Sequence, residues 1–191
     1  MRGLFFLLFG MMQAQLEEAT FGGGCFWCTE ALFKPLKGVV EVFPGYAGGH
    51  VPHPTYEQVC SKTTGHAEVV RVRFDPTLIS YEELTEYFFL THDPTTPNRQ
   101  GNDVGPQYRS VIFYHSEAQR IVAERVRERL EKEKVFSAPI VTAIEPLRSF
   151  YPAEQYHWDY YAKNPSQPYC AFVIAPKVKK AREKFRHLLE K

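Results

Sequence analysis

Gly22-Gly23-Gly24-Cys25-Phe26-Trp27-Cys28-Thr29-Glu30 sets a thiol where a glycine run meets the start of a predicted helix, residues 26–33, stopped by Pro35. A helix N-terminus presents unpaired N–H groups and the positive end of the macrodipole, both of which favour an anion. The expectation is a Cys25 thiol with a lowered pKa, accessible as a nucleophile. Phe26 and Trp27 follow the sulfur directly and suggest the walls of an apolar pocket. The alternative is that both rings are core and Cys25 is merely a buried thiol.

A second reactive group comes from strand periodicity. Gly65 to Phe74 alternates, with Arg71 and Arg73 on one side and Glu68, Val70, Val72 and Phe74 on the other. A carboxyl on an apolar face is costly to ionise, so Glu68 is expected to stay protonated near neutral pH and to be a candidate general acid. An edge position, with the side chain escaping to water, is the alternative. Tyr46 projects from Pro44-Gly45-Tyr46-Ala47-Gly48-Gly49, read as a glycine-rich loop, and is either a hydrogen-bond donor to a ligand or a surface ring. The long polar stretch from Asp93 to Gln107, dense in hydrogen-bonding side chains through Arg109, reads as a binding loop.

The elements that must position these groups follow from pattern. Strands are expected around Thr20-Phe21, over 39–43, 65–74, 111–114 and 140–144, with Val39 to Phe43 central. Ser80-Tyr81-Glu82-Glu83 is a capping box, and its helix ends near His92, before Asp93-Pro94. Ser116 to Gln119 opens a charged helix with Val122, Val126 and Leu130 as its apolar stripe, and 153–162 is a short aromatic helix in which His157 reads as structural. Beyond Asn164-Pro165 the chain is expected to loosen, leaving Cys170 on or beside a mobile segment, then a strand-like piece from Val173 and a basic amphipathic tail. Strands with and without intervening helices make this an α+β domain with a mixed sheet.

At 191 residues the chain can bury a full core, and Lys+Arg 23 against Asp+Glu 22 points to neither nucleic acid nor an anionic membrane as partner. Four cysteines, Cys25, Cys28, Cys60 and Cys170, are more than such a domain needs as staples, and a bridge between Cys25 and Cys28 would close too short a loop to stabilise much. A redox role fits better. Arg2, an apolar run from Leu4 to Met12 and Ala14 resemble a secretory signal, so residues 1–14 are expected to be removed on export and 15–191 to form one catalytic domain, with a cytoplasmic location the alternative.

Several of these stretches together resemble the peptide methionine sulfoxide reductase A family. They are Gly24-Cys25-Phe26-Trp27, Gly45-Tyr46-Ala47-Gly48-Gly49, Thr64-Gly65-His66-Ala67-Glu68, His92-Asp93-Pro94, Arg99-Gln100-Gly101-Asn102-Asp103 and Gln107-Tyr108-Arg109-Ser110, in that order across residues 18–175. The resemblance implies a two-layer α/β sandwich with a central mixed β-sheet, a single catalytic domain with an irregular C-terminal segment. It also implies reduction of the S epimer of methionine sulfoxide, free or in proteins. Carried over, Cys25 is the attacking thiolate and Glu68 the acid on the sulfoxide oxygen. Tyr46 and Tyr108 donate to that oxygen, Phe26 and Trp27 hold the methyl group, and Asp103 meets the substrate's polar end. Cys170 takes the place of the resolving cysteine. Cys28 stands where many relatives carry a small residue and is the competing resolving thiol, while Cys60 is non-catalytic and expected to be buried. The implied reductant is thioredoxin or another dithiol. The expectation is a monomer with no bound cofactor or metal, no nucleic acid and no stable membrane association.

Two other readings compete. A thioredoxin-like disulfide exchanger using Cys25 and Cys28 would need neither Glu68 nor Tyr46, and a zinc module would draw on cysteines with His50, His53 or His66 but has only one Cys-x-x-Cys pair.

Overall fold

The computed structural model describes residues 15–189; the expected leader, residues 1–14, lies outside them. Strands β1 (Glu17–Gly22), β2 (Val39–Ala47), β3 (Ala67–Phe74), β6 (Val111–Tyr114), β7 (Ala143–Pro146) and β8 (Phe150–Pro152) form one sheet in the order β7-β6-β1-β3-β2-β8. All neighbours are antiparallel except the parallel β6–β7 pair, so the sheet is mixed. A short hairpin, β4 (Arg99–Gln100) and β5 (Asp103–Val104), stands apart from it and organises the polar loop.

Helices α1 (Phe26–Phe33), α3 (Tyr81–Thr91), α4 (Glu117–Lys132) and α6 (Ala175–Lys184) bury their apolar sides in one core with Phe21, Val70, Val72 and Phe74 of the sheet. A smaller cluster, Ala47, Ala67, Val69, Val111 and Phe113, lies apart from it, and near it the Arg71 guanidinium sits over Phe150 at 4.5 Å. The result is a two-layer α+β sandwich. Alternation along β3 holds: Glu68, Val70, Val72 and Phe74 are buried, whereas Arg71 and Arg73 are half-buried.

Local signals place the helix ends. Ser80 accepts from the Glu83 N–H and the Glu83 carboxylate accepts from the Ser80 N–H, which starts α3 as the capping box predicts. Four expectations are corrected. Pro44 to Ala47 is not a loop but the second half of β2, because it is paired on both sides, with β3 and β8. Strand β7 begins three residues later than the 140–144 pattern suggests, at Ala143. The 153–162 helix is two pieces, a 3-10 turn at Gln155–His157 and α5 (Tyr160–Lys163), separated by left-handed Asp159 at φ 57°. The C-terminal segment is helical from Cys170 to Lys184, neither loosened at Cys170 nor strand-like from Val173, since Ile174, Val178, Ala181 and Phe185 recur at helical spacing and are buried.

Candidate active site

Cys25 is the N-cap residue of α1, with φ −61° and ψ 128°, and its carbonyl accepts the Cys28 and Thr29 N–H groups at 3.1 and 3.3 Å. The glycine turn brings it there because Gly24 is at φ +92°, a conformation open to glycine, with Gln100 packed where a side chain would be. The Phe26 N–H has no partner within the helix. It donates to Glu68 Oε2 at 3.0 Å, which draws the carboxyl from β3 up to the first turn of α1.

Register does the rest. Tyr46 and Glu68 are direct cross-strand partners in β2 and β3, so both side chains leave the sheet on the face that α1 covers. Glu68 is 1% exposed. Burial pushes its carboxyl up to about 8, against the pull of the Phe26 N–H and with a further upward push from Asp103. The acid form expected from sequence is therefore the form present at neutral pH.

Cys25 departs from expectation. Its thiol is pushed well up, first by burial, then by the charges of Glu68 and Cys28, and the Trp27 N–H opposes this without overcoming it. One turn of helix does not offset desolvation of the sulfur, so at neutral pH the site holds a neutral thiol and a protonated carboxyl.

Aromatic rings surround this pair. Phe26 packs on Tyr46 at 5.7 Å and Tyr56 at 6.4 Å between centroids, and Trp27 stacks on Tyr160 at 3.7 Å. The Trp27 indole N–H donates to His157 Nδ1 at 3.0 Å, so His157 fixes the orientation of the indole. The Tyr46 hydroxyl donates to Glu154 Oε1 at 3.3 Å, and Glu154 also accepts from the Tyr56 N–H at 3.3 Å and the Tyr156 hydroxyl at 3.1 Å. Tyr108 is half-buried, and its phenol is pushed up by burial, then by Glu68 and Cys25. Asp103, on β5, accepts the Tyr169 hydroxyl at 2.5 Å; the same hydroxyl lies 4.0 Å from Cys28 Sγ.

All four cysteines are free thiols. Cys28 and Cys170 are buried in the same core as Cys25, and Cys28 is pushed up to about 11 by burial, with Lys177 and Tyr169 opposing. Cys170 lies within the helical stretch Cys170–Ile174 and is fully buried, so it is not on a loosened segment. Cys60 is half-buried, not buried as expected, because α2 (Tyr56–Cys60) is a single turn with one buried residue, Val59. His66, a zinc candidate, uses both ring nitrogens on the loop after β2, Nδ1 with the Gly49 N–H at 3.1 Å and Nε2 with the Val51 carbonyl at 2.7 Å.

The arrangement joins a thiol, a protonated carboxyl, two phenols and an apolar wall. That set suits a small molecule with a polar S=O and an S-methyl group. Residues 17–189 match the family described as peptide methionine sulfoxide reductase. The chain belongs to the peptide methionine sulfoxide reductase family. A relative from Thermus thermophilus, named peptide methionine sulfoxide reductase MsrA, is 61% identical over 173 residues, 91% of this chain and 97% of that protein. Among solved structures, Mxr1 from Saccharomyces cerevisiae in reduced form is 38% identical, with a TM-score of 0.76 over 82% of this chain and 90% of that one. Mxr1 in complex with Trx2 is also similar, 26% identical with a TM-score of 0.54 over 79% of this chain and 91% of that one.

Sequence reasoning did not single out Tyr160, Tyr169, Glu154 or Glu30 as parts of the site. The aromatic density of 156–161 and the Tyr169-Cys170 pair are the signals that could have found the first two; Glu154 and Glu30 carry none, because the partners that bring them to the site, Tyr46 and Tyr56 for the one and Asp159 for the other, lie far away in the chain.

Proposed function

We infer that this chain is a thiol-dependent reductase that converts methionine S-sulfoxide, free and in proteins, to methionine and so repairs oxidative damage. The carrying observation is the Phe26 N–H held by Glu68 at 3.0 Å, which couples a buried carboxyl to the turn that presents Cys25. Cys25 attacks the sulfoxide sulfur, forming a sulfur–sulfur bond, as Glu68 gives its proton to the oxygen and the thiol proton passes to the Glu68 carboxylate; the S–O bond then breaks as the hydroxyl moves to the Cys25 sulfur, the sulfur–sulfur bond breaks, methionine leaves, and Cys25 is a sulfenic acid beside a reprotonated Glu68. Tyr46 and Tyr108 donate to the sulfoxide oxygen, Phe26 and Trp27 hold the S-methyl group, and Asp103 meets the polar end of the substrate. For Tyr46 this means exchanging its Glu154 partner for the ligand, and for Asp103 loosening from Tyr169.

A second thiol then condenses with the sulfenic acid, releasing water and forming a disulfide that a dithiol protein reduces. The solved complex of the similar Mxr1 with Trx2 supports a thioredoxin as that dithiol. We assign the resolving role to Cys170. Cys28 is favoured by a different observation: it sits on the first turn of the helix that Cys25 caps, whereas Cys170 is fully buried in a helical turn that would have to open. Cys170→Ser should allow one turnover and block recycling by thioredoxin; recycling that persists there and vanishes in Cys28→Ser would transfer the role to Cys28.

The activity itself is tested with racemic methyl p-tolyl sulfoxide and dithiothreitol. Loss of one enantiomer is expected; reduction of insulin disulfides without any sulfoxide turnover would replace this reading with a disulfide exchanger. Export through residues 1–14 and a monomeric state belong to the same proposal. N-terminal sequencing of the mature protein checks the first, and light scattering the second.

A further inference from the structure

Glu30 is 3% exposed on the inner side of α1, and none of the steps above uses it. Both carboxyl oxygens accept one backbone N–H, that of Asp159, at 3.0 and 3.1 Å. Asp159 is the left-handed residue, φ 57° and ψ 29°, where the aromatic segment breaks between its 3-10 turn and α5. Aspartate enters that conformation more readily than most side chains do, still at a cost, and a contact that fixes its N–H holds it there. Both sides of the bend bear on Trp27. Before it, His157 Nδ1 accepts the indole N–H at 3.0 Å; after it, the Tyr160 ring lies flat on the indole at 3.7 Å with 6° between the planes.

We propose that Glu30 is a positioning residue for substrate binding: by gripping the Asp159 N–H it imposes the bend that presses His157 and Tyr160 onto Trp27 and thereby shapes the wall of the S-methyl pocket. The proposal rests on Trp27 lining that pocket. Trp27 and its two supports lie far apart in the chain, and Glu30 shares a helix with Trp27, so its buried bond to the Asp159 N–H ties the bend to the element that carries the indole; the more exposed Lys34–Asp159 ion pair is a second tie from the end of α1. Its strength depends on charge. Burial pushes the Glu30 carboxyl up to about 7, with the Asp159 N–H lowering it, the Asp159 carboxylate raising it, and Lys34 and Lys163 lowering it; Arg182 of α6 lines the same cleft. A carboxylate accepts an N–H more strongly than a carboxylic acid does, so the grip tightens as pH rises through that range.

The test uses the full chain, methyl p-tolyl sulfoxide and dithiothreitol. Glu30→Ala is expected to raise KM about tenfold with kcat within about twofold, and Glu30→Gln, which keeps an acceptor, to recover part of that loss. Tyr160→Leu should raise KM similarly, and the Glu30→Ala/Tyr160→Leu double variant should be no worse than the worse single variant. In a Trp158→Phe background, which leaves Trp27 as the one tryptophan, Glu30→Ala should shift the emission as the stack loosens. Wild-type KM should fall between about pH 6 and about pH 8, and in Glu30→Gln it should stay flat. A lowered Tm with KM and emission unmoved would make Glu30 a core residue only and overturn the proposal, as would full additivity in the double variant. Should Glu30→Ala not fold, Glu30→Gln with Tyr160→Leu completes the same cycle. Trp27→Ala separates the two levels: unchanged KM there removes the pocket reading, whereas raised KM there with silent Glu30 variants removes this inference alone.

Discussion

Glu68 and Cys25 each hold a proton that their surroundings make hard to release, and a charge on Glu68 makes release from Cys25 harder still. Burial is the larger cause for both, with the neighbouring charge second for Cys25. Sulfoxide turnover by the wild type should therefore fall as pH rises through about 8, where Glu68 loses the proton it must donate. Glu68→Gln should lower turnover at neutral pH by about 100-fold or more. The same variant should speed iodoacetamide alkylation of Cys25 under alkaline conditions, because a like charge beside the sulfur is gone. Turnover that stays at the wild-type rate would remove the acid role. The stability consequence has a definite sign. The folded carboxyl is raised from 4.5 to about 8, so the folded state favours the protonated form and stability is lost as pH rises across that window. Glu68→Gln should accordingly show a higher Tm than wild type above the window and lose that advantage in acid, as calorimetry across pH would record.

At the level of elements, the site depends on how β1 hands over to α1. Gly24 permits the turn, and a Cβ there would meet Gln100 Cγ at 2.7 Å on top of an unfavourable φ of +92°. Gln100 cannot retreat freely, since its side chain accepts the Asp93 N–H at 3.1 Å and donates to the Asp93 carbonyl at 3.0 Å. Gly24→Ala should cost about 1–3 kcal/mol in urea unfolding and lower kcat, because both the turn and the hairpin bearing Asp103 are displaced. Unfolding at the wild-type urea midpoint would mean that the turn is less constrained than its geometry implies. The outer helix pair behaves differently. Arg125 and Arg129 of α4 reach Glu82 and Glu86 of α3 at 2.6 and 2.8 Å on partly exposed surface, where such pairs contribute about 0–1 kcal/mol.

For the whole molecule, the resolving step sets a demand on the C-terminal segment. Cys170 is buried at 0% exposure inside a helical turn that continues into α6, and the adjacent Tyr169 is tied to Asp103. If Cys170 resolves the sulfenic acid, that turn must open, and amide exchange over residues 167–174 should be faster in the oxidised enzyme than in the reduced one. Equal protection in both forms, with a disulfide mapped to Cys28, would show that the first turn of α1 closes the cycle alone. Opening need not disturb the sheet, since Glu68 and Tyr46 are held by β2–β3 register and not by the C-terminal helix.

Short-range signals in the chain were enough to determine the ends of α1, the capping box of α3 and the alternation of β3, because each depends on residues within one turn or one strand; that Glu68 is covered, and so holds its proton, was decided by packing. Motif order was enough for the family. Only the tertiary structure decided that Pro44 to Ala47 is a strand placing Tyr46 beside Glu68, that Asp103 meets Tyr169, and that Glu30 reaches Asp159. It also reversed the expected direction for Cys25. A helix end acts on a thiol through adjacent N–H groups, which can be read locally, whereas desolvation depends on everything that covers the sulfur, and those atoms come from strands, loops and helices far along the chain.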